Sequence, residues 1–333
     1  MGLATRLTDA LPLEYPIIQA PIGSATSPEL ATAVADAGGL GMLAVTWRES
    51  DAARDALEQA IADADGPIGA NVVLDPDAGG DDLATLIDAC LDADPALLHL
   101  SFGDPAPSVE RIHDRDVLVA GTVGSASEAR AAADAGVDIV VAQGWEAGGH
   151  VQGDVATMPL VPAVVDAVPE IPVVAAGGIG DGRGIAAALV LGADGAMLGT
   201  RFVATMEAAA HDRYVDRVAE ADATETVYGE PYDGGWPGQP HRTLENGTTE
   251  RWEAAGRPRD GKPGEDDIVA HGGDGEPIRR YDDALATPDV DGAIEEVPLY
   301  AGQSTELVEE RRPAAEVVAD LVAEARDAAA RFE

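Results

Sequence analysis

Eight short apolar, β-branched runs recur along the first two-thirds of the chain, and this rhythm constrains the fold more than any other feature. They occupy residues 15–22, 39–46, 67–74, 96–103, 116–123, 138–144, 171–178 and 194–202. Their apolar residues are continuous, not alternating, which marks strands buried on both faces. Between them lie alanine-rich stretches of helical periodicity, among them SPELATAVADAGG, DAARDALEQAIADAD and SASEARAAADAGV. Ser27-Pro28 and Ser125 to Glu128 supply helix starts, and Gly38, Gly136 and Gly192 stand where helices stop. Strand–helix units repeating every 20–30 residues predict a parallel sheet. Eight units this regular favour a closed (β/α)8 TIM barrel over a doubly wound α/β sheet.

After residue 203 the texture changes. Residues 224–302 are rich in Gly, Pro and Asp with scattered aromatics, too long for an ordinary loop, so a small subdomain or a lid over the barrel mouth is expected. The expected division is a barrel over residues 1–222 and a C-terminal extension over 223–333. The last 30 residues read as helix, broken near Pro313.

Charge narrows the partners. The 333 residues include 61 acidic and 21 basic side chains, a net charge of −40. The acids are spread along the chain instead of forming a tail, which points to adaptation to a salt-rich cytoplasm and away from nucleic acid or anionic membrane. The N-terminal residues lack a signal-peptide core, and no apolar run approaches about 18 residues, so a cytoplasmic location is expected. One cysteine, Cys90, reads as a small core residue and excludes an internal disulfide. The single lysine, Lys262, falls in a polar loop, which removes a Schiff-base lysine on a core strand.

In a barrel of this kind chemistry gathers at the C-terminal strand ends. The first run delivers Ala20, Pro21 and Gly23 there, the third Asn71, and the fourth Ser101, Gly103 and Asp104. Gly177-Gly178 and Gly199-Thr200 follow the seventh and eighth strands, the recurrent phosphate corner of the fold, where backbone N–H groups approach an anion without a side chain between. GIGDGRG lacks the spacing of a dinucleotide fingerprint. His150 follows the sixth strand behind Gly148-Gly149, placed to lean over the barrel mouth as a general base or proton shuttle. No second histidine or ordered carboxylate cluster accompanies it, so a metal site is not expected. Glu146 either caps a neighbouring helix or orients His150. His99 sits on a strand with its side chain able to point inward, while His113, His211, His241 and His271 read as surface residues.

The segments QAPIGSATSPELATAVADAGGLGML, AQGWEAGGH and LVPAVVDAVPEIPVVAAGGIGDGRGIAAALVLGADGAMLGTRF resemble the nitronate monooxygenase family, formerly 2-nitropropane dioxygenases. The resemblance covers roughly residues 10–210 and continues weakly through TETVYGEP, HRTLEN and YAGQS. It implies a (β/α)8 barrel with a C-terminal region, and non-covalent FMN. Asn71, Gln143 and Gly148 would contact the flavin, Gly178 and Met197, Leu198, Gly199 and Thr200 would hold its ribityl phosphate end, and His150 matches the catalytic histidine. The implied reaction is oxidation of an alkyl nitronate or nitroalkane by O2 to a carbonyl compound and nitrite. HVQGDVATMPLVP is equally similar to FMN-dependent enoyl-acyl-carrier-protein reductases, which makes NAD(P)H-dependent reduction the alternative.

Overall fold

Each of the eight runs becomes a parallel strand in the computed structural model, which describes residues 3–332. They are β1 (Ile17–Gln19), β2 (Gly41–Ala44), β3 (Ile68–Val73), β4 (Leu97–Ser101), β5 (Leu118–Val123), β6 (Ile139–Gln143), β7 (Val173–Ala176) and β8 (Gly195–Leu198). Hydrogen bonding runs β1-β8-β7-β6-β5-β4-β3-β2. The ring closes just ahead of β2, where Leu40 donates to Ile17 O (2.9 Å) and accepts from Gln19 N–H (3.0 Å). The fold is therefore a closed (β/α)8 barrel.

Strand alternation divides the core in two. Ile18, Ile139, Val141, Val174 and Met197 fill the barrel, while Val140, Ala142, Ala196 and Leu198 face the helices. Leu7 and Leu11 join the inner cluster and plug the N-terminal end, where Leu7 lies against Gly195. The helix starts behave as their sequences suggest. Ser27 Oγ accepts from Leu30 N–H (3.0 Å), Ser125 Oγ from Glu128 N–H (3.2 Å), and Glu128 returns a bond from Gly124 N–H (2.8 Å). Gly38, Gly136 and Gly192 have φ of +92°, +92° and +98°, the left-handed stop that favours glycine.

Two boundaries differ from the sequence reading. The eighth run ends at Leu198 because its neighbour β1 has no more strand to offer, and Thr200–Val203 turns into a short helix. Pro313 starts a helix instead of breaking one: Ala314–Ala329 is α-helical, whereas the stretch before it holds only a 3-10 turn at Thr305–Leu307. That helix packs against Pro28–Asp36 and Gly182–Val190, in the barrel's outer ring. The approach is so close that a Cβ on Gly182 would meet Ala325 N and Leu321 O at 2.4 Å.

Residues 224–302 build two small antiparallel sheets at the barrel mouth. In the first, β9 (Thr226–Gly229) pairs with β10 (His241–Leu244), and β10 also pairs with the two-residue strand Gly149–His150. The extension thus clamps the loop that carries the predicted histidine. In the second, β11 (Ile268–His271) pairs with β12 (Pro277–Arg279) and with Asp291–Gly292. Among the described residues, no helix is long and apolar enough to cross a membrane.

Candidate active site

The C-terminal strand ends open into a cavity of about 630 Å³, a size typical of small-ligand sites. From β3 and β6 it receives Asn71, Gln143, Gly148 and His150, and from β7 and β8 Gly178, Met197, Gly199 and Thr200. Leu198 is the one predicted residue whose side chain turns away, because Met197 takes the inward position and sends its neighbour out beside Phe202. Gly177 and Gly178 have φ of +93° and +70°, a turn that side-chain-bearing residues adopt only under strain. Across the cavity Gly149 (φ +71°) faces open space.

His150 is held by stacking and pairing. Its ring lies 4.3 Å from that of Trp236, with Tyr300 at 5.6 Å and Phe102 edge-on at 6.4 Å. Gln143 fixes the backbone beneath it: Nε2 donates to His150 O (3.2 Å) and Oε1 accepts from Gln152 N–H (2.9 Å). Burial pushes the imidazole down to about 3, so it is neutral at physiological pH. Trp236 is in turn fixed by Asp75, whose carboxylate accepts its indole N–H at 3.0 Å.

The alternatives left open for Glu146 resolve in favour of capping. Its carboxylate accepts from Thr157 N–H (2.9 Å) and Thr157 Oγ1 (3.0 Å) at the start of the helix Thr157–Ala167. His99 does point into the barrel, with Nε2 2.6 Å from Thr122 Oγ1. Asn71 Nδ2 donates to His99 O (3.0 Å) and Ser101 Oγ (3.1 Å). Cys90 is a core residue whose thiol is pushed up to about 12 by burial, too high for a nucleophile. Among the described residues no cluster of His, Cys, Asp and Glu has the geometry to hold a metal ion.

One sequence reading is corrected. His241, read as a surface residue, is fully buried on β10 opposite His150, with the two rings 5.3 Å apart. It looked exposed because its neighbours are polar, but they are polar on a strand that packs into the mouth. Lys262 does lie in a loop, yet it is buried: Nζ donates to Pro231 O (2.8 Å) and pairs with Asp233 (2.5 Å). His113 and His271 are exposed, and His211 caps a helix by accepting from Arg213 N–H. Sequence reasoning missed Asp283, Trp236 and Tyr300, which line the cavity from the extension. Their only signal was aromatic residues in a Gly/Pro-rich segment (GGWPG, RRYDDALA), where an otherwise solvated loop has no use for them.

Three neutral histidines buried at one site make the fold acid-sensitive. Burial lowers His99 to about 4, and His150 and His241 to about 3. Between those values and 6.5 the unfolded chain binds protons that the folded chain refuses, so this stability is intact above pH 6.5 and lost as pH falls. Asp283 works in the opposite sense, since burial holds its carboxyl above the usual range. Stability should fall by on the order of 1 kcal/mol per histidine per pH unit below 6.5. Urea midpoints at pH 7.5 and 5, taken in salt high enough to screen the carboxylates, provide the check; equal midpoints would contradict it.

A closed barrel with a glycine-lined, cofactor-sized cavity and a buried neutral histidine at its mouth defines a barrel enzyme of the cofactor-binding class. The nitronate monooxygenase family model matches residues 4–324, and the chain belongs to that family of flavin oxidoreductases. A Mycobacterium tuberculosis protein named (3aS,4S,5R,7aS)-5-hydroxy-7a-methyl-1-oxo-octahydro-1H-indene-4-carboxyl-CoA dehydrogenase is 36% identical over 78% of this chain and 71% of its own. The structure of FabK from Thermotoga maritima superposes with a TM-score of 0.81 at 29% identity, over 98% of both chains. Nitroalkane oxidase from Streptomyces ansochromogenes gives a TM-score of 0.79 at 29% identity, over 98% of this chain and 99% of that one.

Proposed function

We propose that the chain is an FMN-dependent oxidoreductase that oxidises alkyl nitronates, or the parent nitroalkanes, with O2 to a carbonyl compound and nitrite, with His150 as general base. The observation that carries this reading is a buried, neutral imidazole lining a cavity whose β7–β8 corner carries Gly177, Gly178 and Gly199. The cavity fits the cofactor in two respects. Its volume of about 630 Å³ suits a cofactor-sized ligand. At the β7–β8 corner no Lys or Arg side chain lines the wall among the described residues, so a phosphate there would rely on the N–H groups of Gly178, Gly199 and Thr200. The helix Gly182–Val190 offers little to such an anion, because Gly182 and Gly184 N–H already bond Glu324 (2.8 Å) and Asp181 (3.1 Å).

In this reading Asn71 and Gly148 border the ring system, and Gly178 and Met197 with Gly199 and Thr200 hold the phosphate end. Leu198 contributes only backbone. Gln143 serves chiefly to fix the His150 loop. FMN supplies the electron-accepting chemistry when bound. The chain's own task is the proton: the α-C–H bond of a nitroalkane breaks, its proton goes to the His150 ring and its electron pair moves onto the nitro group, giving the nitronate. Trp236, Phe102 and Tyr300 keep water away from the ring that receives it.

An anaerobic absorbance titration tests the reading. Flavin bleaching or semiquinone formation on adding propionate 3-nitronate alone supports it. Reduction by NADPH alone would move the chain to the NAD(P)H-dependent alternative, which the likeness to FabK over the full chain keeps in play. A preparation that binds no flavin would remove both.

A further inference from the structure

Behind His150 sits a carboxylate that no sequence motif marks. Asp283 Oδ2 lies 3.6 Å from His150 Nε2. Its other oxygen, Oδ1, accepts the Tyr300 hydroxyl, and Tyr300 is anchored in turn by the Tyr214 hydroxyl, which donates to Tyr300 O. Of the two His150 ring nitrogens, only Nε2 is both sealed from solvent and without a hydrogen-bond partner. A sealed polar atom left unpaired is costly, and it marks either strain or function. The one group placed to relieve it is Asp283, within a ring shift of less than an ångström; catalytic hydrogen bonds are often this long before substrate binds.

We propose that Asp283 is a positioning residue that holds His150 as the Nε2–H tautomer, so that Nδ1 carries the lone pair that takes the substrate proton. The inference rests on the reading of His150 as the base and adds which atom acts and what orients it. The surroundings leave few competitors. His241 Nε2 accepts Tyr232 N–H (3.2 Å), so its proton sits on Nδ1, toward Gln239 O (3.1 Å), and it neither gives nor takes one at His150. Tyr300 stays protonated, since burial and then the Asp283 charge hold its ionisation well above the ordinary range. Lys262, the cation that acts on His241, is committed to Asp233 and Pro231 O. Phe102 and Trp236 bring no charge.

The proton balance closes. Before reaction the pair carries one negative charge, on Asp283, and a neutral imidazole. Afterwards Nδ1 holds the substrate proton, the imidazolium faces the carboxylate, and the new negative charge rests on the nitronate oxygens. In this scheme Asp283 stays ionised, with the Tyr300 hydroxyl on Oδ1 opposing the burial that raises its carboxyl. It stabilises the imidazolium by Coulomb attraction in a site with little water, where such attraction is strongest.

Nitrogen NMR of protein labelled with ¹⁵N-histidine reads the tautomer directly, with the His150 signals assigned by their loss in His150→Asn. The expected wild-type result at pH 7.5 is a neutral Nε2–H ring. In Asp283→Asn the side-chain oxygen can keep the Tyr300 bond while its NH₂ donates to Nε2, which should switch His150 to Nδ1–H. Tyr300→Phe, which leaves the carboxylate in place, should keep the wild-type tautomer. A wild-type ring in the Nδ1–H form or charged would overturn the proposal, as would a tautomer indifferent to Asp283→Asn in a variant whose melting curve shows it folded. In turnover, Asp283→Asn should lose roughly 10²-fold in kcat/KM with a neutral nitroalkane and little with preformed nitronate. Equal losses on the two substrates would reduce Asp283 to a structural role. If the wild type turned over neither, the functional reading would fail while the tautomer result still judged Asp283.

Discussion

Replacing His150 with asparagine is expected to cut turnover of a neutral nitroalkane by roughly 10²- to 10⁴-fold, the range that a positioned general base contributes. Oxidation of the preformed nitronate should change far less, because that substrate arrives with its proton already gone. The distinction follows from the site's geometry. The imidazole is a neutral group lining the cavity next to a carboxylate, and His99, the other histidine lining the cavity, is tied to Thr122 at 2.6 Å. Asparagine keeps the backbone pairing of residue 150 with His241 and leaves the corner proposed for the flavin phosphate at β7 and β8 untouched, so bound flavin should survive. Steady-state kinetics with both substrate forms, corrected for flavin content, decide it. Parallel loss on the two would assign His150 to binding, and undiminished nitroalkane turnover would take it out of the reaction.

The second large effect is on stability. The melting temperature should rise by roughly 10 °C between 0.1 M and 2 M NaCl, which corresponds to about 7 kcal/mol for a chain of this size. The cause is self-repulsion: 61 acidic groups face 21 basic ones. Three of the cations are spent internally. Arg242 is wholly buried against Trp145 and Tyr228, Arg280 is paired with Glu296 and Asp267, and Lys262 with Asp233. The surface is left with carboxylates on helix after helix, repelling over a Debye length of about 10 Å at 0.1 M that shrinks to about 3 Å at 1 M. Differential scanning calorimetry across the salt series, with sucrose as an ion-free control, separates screening from solvent exclusion. A flat melting temperature would show that the acidic surface costs the fold nothing.

Much of the fold was legible because it is written locally. Continuous β-branched runs, cap residues such as Ser27 and Ser125, and glycines at 38, 136 and 192 act over a few residues of chain, and each behaves in three dimensions as its neighbours dictate. The glycine corner was legible for a related reason: a barrel fixes which loops meet, so naming the strands names the corner. His150 followed from the same rule, since it hangs on the end of β6. Boundaries misread at residue 199 and at Pro313 were set by partners elsewhere, β1 in the first case and the outer helices in the second.

What the sequence by itself determined is therefore the barrel, its glycine-lined corner and a histidine at its mouth, each the product of short-range pattern combined with one topological rule. Only the tertiary structure decided the company that histidine keeps. Trp236, His241, Asp283 and Tyr300 arrive from 86 to 150 positions further along, in a segment whose Gly, Pro and Asp content reads as solvated loop. Burial there is conferred by packing onto the barrel mouth and by the pairing of β10 with Gly149–His150, not by any hydrophobic period of its own. A carboxylate's role depends on which groups surround it in space, and for Asp283 those groups are distant in the chain.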